Sequence, residues 1–392
     1  MTATGPRDAP DVVDVVALGE SMVTFLPSRP GRLADVPSFD RAIGGAESNV
    51  ACALAAAGHS VRWVSRVGSD GFGDHLVETI GSYGVDVTSV PRDPSRPTGV
   101  YFRTAGDRAT DAHEVAYYRA GSAASAMTAG NVDLAAVRAG RVLHLSGITA
   151  ALSGDCAGLL WELTEPGPDR PLVSFDVNFR PGLWPDPDGA RVLLDLARRA
   201  DLVFVGADEA RAAWGLHGAR AIADALPGPD VVVVKQGGGG AVAFDKNAQG
   251  RQDAEGREDA EGREDAQGKK DAEGRQDAEG REDAEGREDA EGTATFVPAL
   301  RVDVVAAVGA GDAFAAGFLS ATLRGLPLRD RLRHGHLAAA AALTAPGDLA
   351  APPARDHADR LVALDDTAWG RLRLGPGWTE PTGRADQEVR TP

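Results

Sequence analysis

Leu202-Val-Phe-Val205, then Glu209-Ala-Arg-Ala-Ala-Trp214, then Val231-Val-Val-Val234: the fold class rests on these three stretches. The outer two are apolar at every position. A strand with one wet face alternates polar with apolar residues, so an unbroken apolar run points to a strand covered on both faces, as in a parallel sheet between helices. The middle stretch has a helical pattern, which supplies the crossover that a parallel pair needs. The alternation continues outward in both directions. Strands are predicted at Val12 to Leu18, Val61 to Val67, Val142 to Leu145 and Leu172 to Phe175. Helices are predicted at Glu47 to Ala57, Phe72 to Tyr83, Arg191 to Arg199, Gly311 to Leu323 and Leu328 to Leu343. The expectation is one α/β domain over residues 12–370, with a mainly parallel central sheet flanked by helices.

Two segments, about 23–43 and 98–118, break the alternation. The second holds Val100-Tyr-Phe-Arg103 and Val115-Ala-Tyr-Tyr118 around a polar turn at Gly106 and Asp107, a hairpin signal. Both segments are assigned to a small β-sheet lid over one end of the main sheet. Its edge strands offer a surface for a homo-oligomer. Residues 371–392, rich in Gly, Pro and charge, are expected to form a disordered tail.

Arg251 to Gly292 is seven six-residue units of the type Arg-Glu-Asp-Ala-Glu-Gly, with 8 basic and 17 acidic residues. It accounts for nine of the chain's 17 net negative charges, so the acidity belongs mostly to an insert. A Gly in every unit costs a helix about 1 kcal/mol each, and Ala is the one apolar residue present, so a solvated loop is expected. It falls between two strand-like runs, Ala241 to Phe244 and Thr293 to Val297, where a short turn would suffice. By the loop-closure logarithm, lengthening such a turn this far costs only about 2 kcal/mol. The rival reading is a binding tail for a basic partner.

With a net charge of −17 in 392 residues, a nucleic-acid partner is not expected. Cys52 and Cys156 show no disulfide or zinc spacing, and the amino terminus lacks the apolar core of a signal peptide. No uncharged apolar run of about 18 residues occurs, so no membrane span is expected. A cytoplasmic location fits these features.

Chemistry concentrates in two Gly motifs. Val308-Gly-Ala-Gly-Asp-Ala-Phe314 puts Gly309, Ala310, Gly311 and Asp312 at the start of a helix. Unpaired N–H groups and a partial positive charge make that end an anion hole, beside which Asp312 could take a proton from an attacking hydroxyl. An Asp there also simply stabilises a helix N-terminus. Gly44-Gly-Ala-Glu-Ser-Asn49 offers a backbone floor for a small polyol through Gly44 and Gly45, with Asn49 able to donate and accept; a plain helix cap is the bland alternative. Gly68-Ser-Asp-Gly71 lacks dinucleotide spacing, and no P-loop occurs.

The two motifs, in this order across an α/β chain, resemble those of the ribokinase-like (PfkB) sugar kinases. Tyr101-Phe-Arg103, Tyr117-Tyr-Arg-Ala-Gly-Ser-Ala123, His144-Leu-Ser-Gly-Ile148 and Asp176-Val-Asn-Phe-Arg180 look most like the branch acting on 2-keto-3-deoxygluconate. The resemblance implies a ribokinase-like fold with a lid closing over the sugar, ATP and Mg as cofactors, residues 309–312 as anion hole and Asp312 as base. It further implies a sugar pocket of Gly44, Gly45, Asn49, Tyr101, Arg103, Tyr117, Arg119, Ile148, Asn178 and Arg180. Lys235, Gly237 and Gly240, with Gly309 and Gly311, would meet the nucleotide, and Glu209 the metal. Arginine has an independent reason to be there, since its planar fork matches a carboxylate, which a sugar acid carries and a neutral sugar does not. The implied activity is transfer of a phosphoryl group to the C6 hydroxyl of a sugar acid. The rivals are a neutral-sugar kinase such as a fructokinase, and a catalytically weakened sugar or nucleotide sensor. Two departures motivate the sensor: Ala306-Ala307 stands where many relatives carry Asp-Thr, and Gly206-Ala-Asp-Glu209 where many carry Asn-x-x-Glu.

Overall fold

The computed structural model describes residues 11–29, 31–104, 114–184, 188–246, 293–306 and 308–380. An eight-stranded sheet runs through it. From one edge its order is Thr293–Val297, Ala241–Asp245, Val231–Lys235, Leu202–Gly206, Leu172–Asp176, Gly140–Ser146, Val13–Leu18 and Val61–Val64. Neighbours are parallel except at Ala241–Asp245, which is antiparallel to both of its partners. The unbroken apolar runs have the cause expected of them, because residues of one strand feed two cores in alternation. Val15, Ala17 and Phe204 point to one face with Trp63, Phe314 and Phe318, while Val16, Leu18, Val203 and Val205 point to the other with Phe175 and Leu193. Helices Ala46–Ala56, Gly71–Ser82, Ala310–Leu323 and Leu328–Leu343 cover the first face; Gly154–Leu163, Gly189–Arg198, Ala207–Trp214 and Ala219–Asp224 cover the second.

The lid is a separate four-stranded sheet in the order Phe39–Gly44, Met22–Pro27, Val100–Arg103, Val115–Tyr118. Its last two strands pair antiparallel, with Tyr101 opposite Tyr117, as the hairpin signal predicted. The turn at Gly106 and Asp107 lies outside the described residues. So does the repeat 251–292; the described strands on either side of it in sequence pair antiparallel, with Asp245 opposite Thr293. Among the described residues no helix is long and apolar enough to cross a membrane.

Three expectations need correction. The strand predicted over Val61 to Val67 ends at Val64; Val67–Gly68 belongs to a second ladder with Arg92–Asp93, fixed by the ion pair of Arg66 with Asp93 and by Thr98 Oγ1 accepting from the Gly68 nitrogen. The helix Gly154–Leu163 was missed, although Ser153 caps it by accepting from the Cys156 nitrogen. The tail is ordered to residue 380. Arg373–Leu374 pairs with Arg301–Val302, and Trp378 is buried with its indole N–H donating to Thr344 Oγ1 at 3.1 Å. Average composition read as disorder, but Leu372, Leu374 and Trp378 are all buried, and a few large apolar side chains suffice to dock a short segment. Residues 381–392 lie outside the described ones.

Candidate active site

Parallel strands bring their C-terminal ends to one edge of the sheet, and in open α/β sheets ligands bind there. At that edge Glu20 follows Val13–Leu18, Ile148 follows Gly140–Ser146, Asn178 and Arg180 follow Leu172–Asp176, Glu209 follows Leu202–Gly206, and Lys235 ends its own strand.

The two Gly motifs meet. Asn49, in the first turns of the helix Ala46–Ala56, donates from Nδ2 to Asp312 Oδ2 at 2.8 Å, across 263 positions of sequence. Asp312 lies in the first turn of Ala310–Leu323, whose N-cap Gly309 has no capping side chain, so the helix's first N–H groups remain available to an anion. Gly309 sits at φ 80°, and a Cβ there would lie 2.2 Å from the Asp348 carbonyl oxygen, so both conformation and space demand glycine. Burial pushes the Asp312 carboxyl up to about 7; the Asn49 hydrogen bond opposes this, the nearby Asp176 charge adds to it, and Lys235 and Arg180 oppose it. A carboxyl held near neutrality is matched to accept a proton at physiological pH.

Beside it, Lys235 Nζ donates to Asp176 Oδ2 at 2.7 Å. Burial disfavours the ammonium, but the charges of Asp176, Glu209 and Asp312 outweigh that and raise its pKa. A Cβ on Gly311 would stand 3.7 Å from the same Nζ, so the lysine lies next to the anion hole. Gly237 and Gly240, at φ 56° and 125°, form the turn that follows. Asn178 holds φ 43°, the one non-Gly residue with positive φ among those described, and its N–H donates to Asp176 Oδ1 at 3.2 Å. Asn tolerates that region better than most residues, and backbone strain of this kind clusters at functional sites. Arg180 Nη1 donates to Glu209 Oε1 at 3.0 Å, and Glu209 Oε2 accepts from the Gly206 nitrogen at 3.0 Å.

On the lid side, Tyr101 Oη and Arg103 Nη2 both donate to Asp348, at 3.1 and 2.6 Å. The Tyr101 ring lies 5.4 Å from that of Tyr117. Gly44 is required below them, since a Cβ would come within 2.2 Å of Tyr101 Oη; one on Gly45 would come within 2.4 Å of the Glu20 carbonyl oxygen. Arg119 pairs with Glu20, which also accepts from Ser122 Oγ. Ile148 lies half-buried in a short helix whose Thr149, with Ser146, donates to the fully buried Glu47.

Thus Gly44, Tyr101, Arg103, Asp348 and Gly309 form one connected set, and Asn49, Asp312, Lys235, Asp176 and Asn178 another beside it. Arg119 and Arg180 stand at the borders of these sets, each paired with its own acid, Glu20 and Glu209. Reading the sequence left Asp348, Glu20 and Glu47 unassigned and quoted Asp176 without a role. Gly347-Asp348 carries no local signature, and its part emerges only where the segment after Leu328–Leu343 returns to the lid. Among the described residues no group of three or more His, Cys, Asp or Glu side chains could itself hold a metal ion.

This architecture, a lidded α/β sheet with a glycine-bounded anion hole and an adjacent carboxylate at the strand ends, is that of a sugar kinase. The pfkB family carbohydrate kinase profile matches residues 13–257 and 280–355, and the chain belongs to that family. It is 31% identical over 361 residues to a 2-dehydro-3-deoxygluconokinase of Bacillus subtilis (strain 168), covering 91% of this chain and 97% of the relative. Among solved structures, a PfkB protein from Polaromonas sp. JS666 shares 30% identity at a TM-score of 0.69, covering 88% of this chain and 99% of that one. A fructokinase with bound ATP from Xylella fastidiosa, 22% identical over 89% of this chain and 98% of its own, superposes at a TM-score of 0.67 and shares the fold.

Proposed function

We propose that this chain is an ATP-dependent kinase that transfers the γ-phosphoryl group to the C6 hydroxyl of 2-keto-3-deoxygluconate. The observation that carries the reading is the Asn49–Asp312 hydrogen bond at the open helix N-terminus. It joins a polyol floor to a carboxylate of near-neutral pKa beside an anion hole. In this reading the sugar lies on Gly44 and Gly45 under Tyr101 and Tyr117, with Ile148 and Asn178 along its side and Asn49 orienting its reacting end. Asp312 accepts the proton of the C6 hydroxyl as its oxygen attacks phosphorus. The N–H groups after Gly309 meet charge on the transferred phosphoryl oxygens, where Lys235 stands ready to exchange its bond to Asp176 for one to phosphate.

The similarity to a 2-dehydro-3-deoxygluconokinase supports the choice of substrate. So do the three guanidinium forks themselves, of Arg103, Arg119 and Arg180, each of which here holds an internal carboxylate, of Asp348, Glu20 and Glu209. Each fork is therefore set in a geometry that suits a carboxylate, and a substrate acid would replace or join the internal one. The donor set also fits Mg. This small ion keeps most of its waters and asks for one or two carboxylates beside the substrate phosphates, a role open to Glu209 and to Asp176, whose charges both act on Lys235. When bound, Mg supplies charge neutralisation between the phosphates.

The same internal pairs favour one alternative. Arginines already satisfied by Asp348, Glu20 and Glu209 would leave the pocket neutral, and a neutral ketose would then be the substrate. A panel of 2-keto-3-deoxygluconate, its galactonate epimer, fructose and ribose, read by sugar-dependent ADP release, separates the readings. Preference for a sugar acid is expected. Preference for fructose would establish the neutral-ketose reading, and no ADP release with any member would leave a sensor.

A further inference from the structure

The helices that carry the two halves of the active site, Ala46–Ala56 and Ala310–Leu323, bound a second cavity behind it. Its volume is about 180 Å³, room for about six waters at roughly 30 Å³ each or for one small organic molecule. One wall is apolar, with Ala53, Ala57 and Leu337. The other carries Ser320, Arg324, His334 and Arg355.

The charges on that wall do not cancel. Arg324 spends both bonds of its Nη2 on the two oxygens of Asp359, at 2.9 and 2.8 Å, and His334 lies 3.3 Å from the same carboxylate. Arg355 forms no hydrogen bond or ion pair with any described residue; its Nη2 lies 4.0 Å from where a Cβ on Gly58 would stand, over the end of the first helix. His59, whose Nε2 is 2.8 Å from Ser320 Oγ, has its pKa depressed by burial; the charge of Asp14 opposes this, and the guanidiniums of Arg355, Arg324 and Arg141 add to it. The helix Arg355–Val362 begins at the same wall with no side chain capping its first N–H groups, although the exposed Asp356 in its first turn offsets part of that positive end. The cavity is therefore an apolar cleft with one uncompensated guanidinium, a hydroxyl and a helix N-terminus at its mouth.

It is also connected. A narrower cavity shares Ala53, Ala338 and Pro352 with it, and its far wall is Asn49 and Asp348, which hold Asp312 and the lid residues Tyr101 and Arg103. We propose that the rear cavity binds a small organic anion, a carboxylate or phosphate ester of a few carbon atoms anchored by Arg355, and that its occupancy changes the kinase's affinity for its sugar through the segment 348–355. Coupling of this kind is reciprocal, so bound sugar must alter anion affinity by the same factor.

The test is titration calorimetry on the full chain with its nucleotide site saturated by a non-hydrolysable ATP analogue, which keeps the probes out of the anion hole. The probes are pyruvate, glycerol 3-phosphate and inorganic phosphate at physiological ionic strength. At least one organic probe should bind with a Kd in the millimolar range or below, and more tightly than inorganic phosphate. Arg355→Ala should weaken it tenfold or more, and Arg355→Lys should recover part of the loss. Because Arg355 is exposed and makes no contact needed for folding, both variants should keep the native melting temperature and the native kcat without anion. No binding of either organic probe up to about 20 mM, tighter binding of inorganic phosphate, or binding that Arg355→Ala leaves unchanged overturns the proposal.

Discussion

Asp312→Asn separates chemistry from stability, and the structure sets the size of both effects. The native carboxyl is held near 7 by burial and by Asp176. A base must be ionised to act, so at pH 6 only about one tenth of molecules carry it ready, and at pH 8 about nine tenths do. kcat/KM for the sugar, at saturating ATP and magnesium, should thus fall about tenfold per unit below pH 7. Asn keeps the shape but takes no proton, and turnover should drop about 10² to 10⁴-fold at every pH. Stability should move the opposite way. A carboxyl whose folded pKa lies above its unfolded value of 3.8 holds more protons when folded between those two pH values, so the native protein loses stability as pH rises from 3.8 to about 7 and is level above. The ceiling of that loss is about 4 kcal/mol at 1.36 kcal/mol per unit, and solvent at the half-open site removes part of it. Asp312→Asn should therefore match the native protein in urea melts at pH 4 and exceed it by a few kcal/mol at pH 8. A flat native rate profile from pH 5.5 to 8, or a variant that gains no stability between pH 4 and 8, would refute the reasoning.

Arg180→Ala should reduce kcat/KM for a sugar acid about 30-fold, the loss of roughly 2 kcal/mol of charged hydrogen bonding, and leave a neutral sugar almost untouched; equal losses for both would exclude a carboxylate contact. Gly309→Ala combines a left-handed backbone with an overlap on the Asp348 carbonyl, so it should lower the melting temperature and cut turnover more than tenfold, whereas a fully active variant would show the anion hole is built elsewhere. Joining the strands at Asp245 and Thr293 by a short Gly-Asn turn in place of the repeat should preserve kcat and raise stability by about 2 kcal/mol. Loss of activity or of an oligomer in size-exclusion chromatography would give the repeat a function.

Period and glycine position did most of the work in the sequence. The Val-rich runs became strands buried on both faces because each feeds two cores, and the lid hairpin formed where the alternation broke. Composition misled at the carboxyl end, where an average over Gly, Pro and charged residues hid the three apolar anchors Leu372, Leu374 and Trp378. The helix Gly154–Leu163 carried a legible signal that went unread, since Ser153 caps it and Cys156, Leu159, Leu160 and Leu163 recur at helical spacing.

By itself, then, the sequence determined the α/β class, the place of the repeat between two strands, and the two glycine motifs. These depend on local backbone freedom and on residues a few positions apart, and both are written in the order of the chain. Only the tertiary structure decided that Asn49 reaches Asp312, that Asp348 holds Tyr101 and Arg103 above Gly309, and that Arg119 and Arg180 rest on Glu20 and Glu209. An arginine in a sequence states a charge and a fork, but not the acid that meets it. Asp348 is 245 positions from Arg103, and it is the return of a buried helix to the lid, set by how the core packs, that makes them partners.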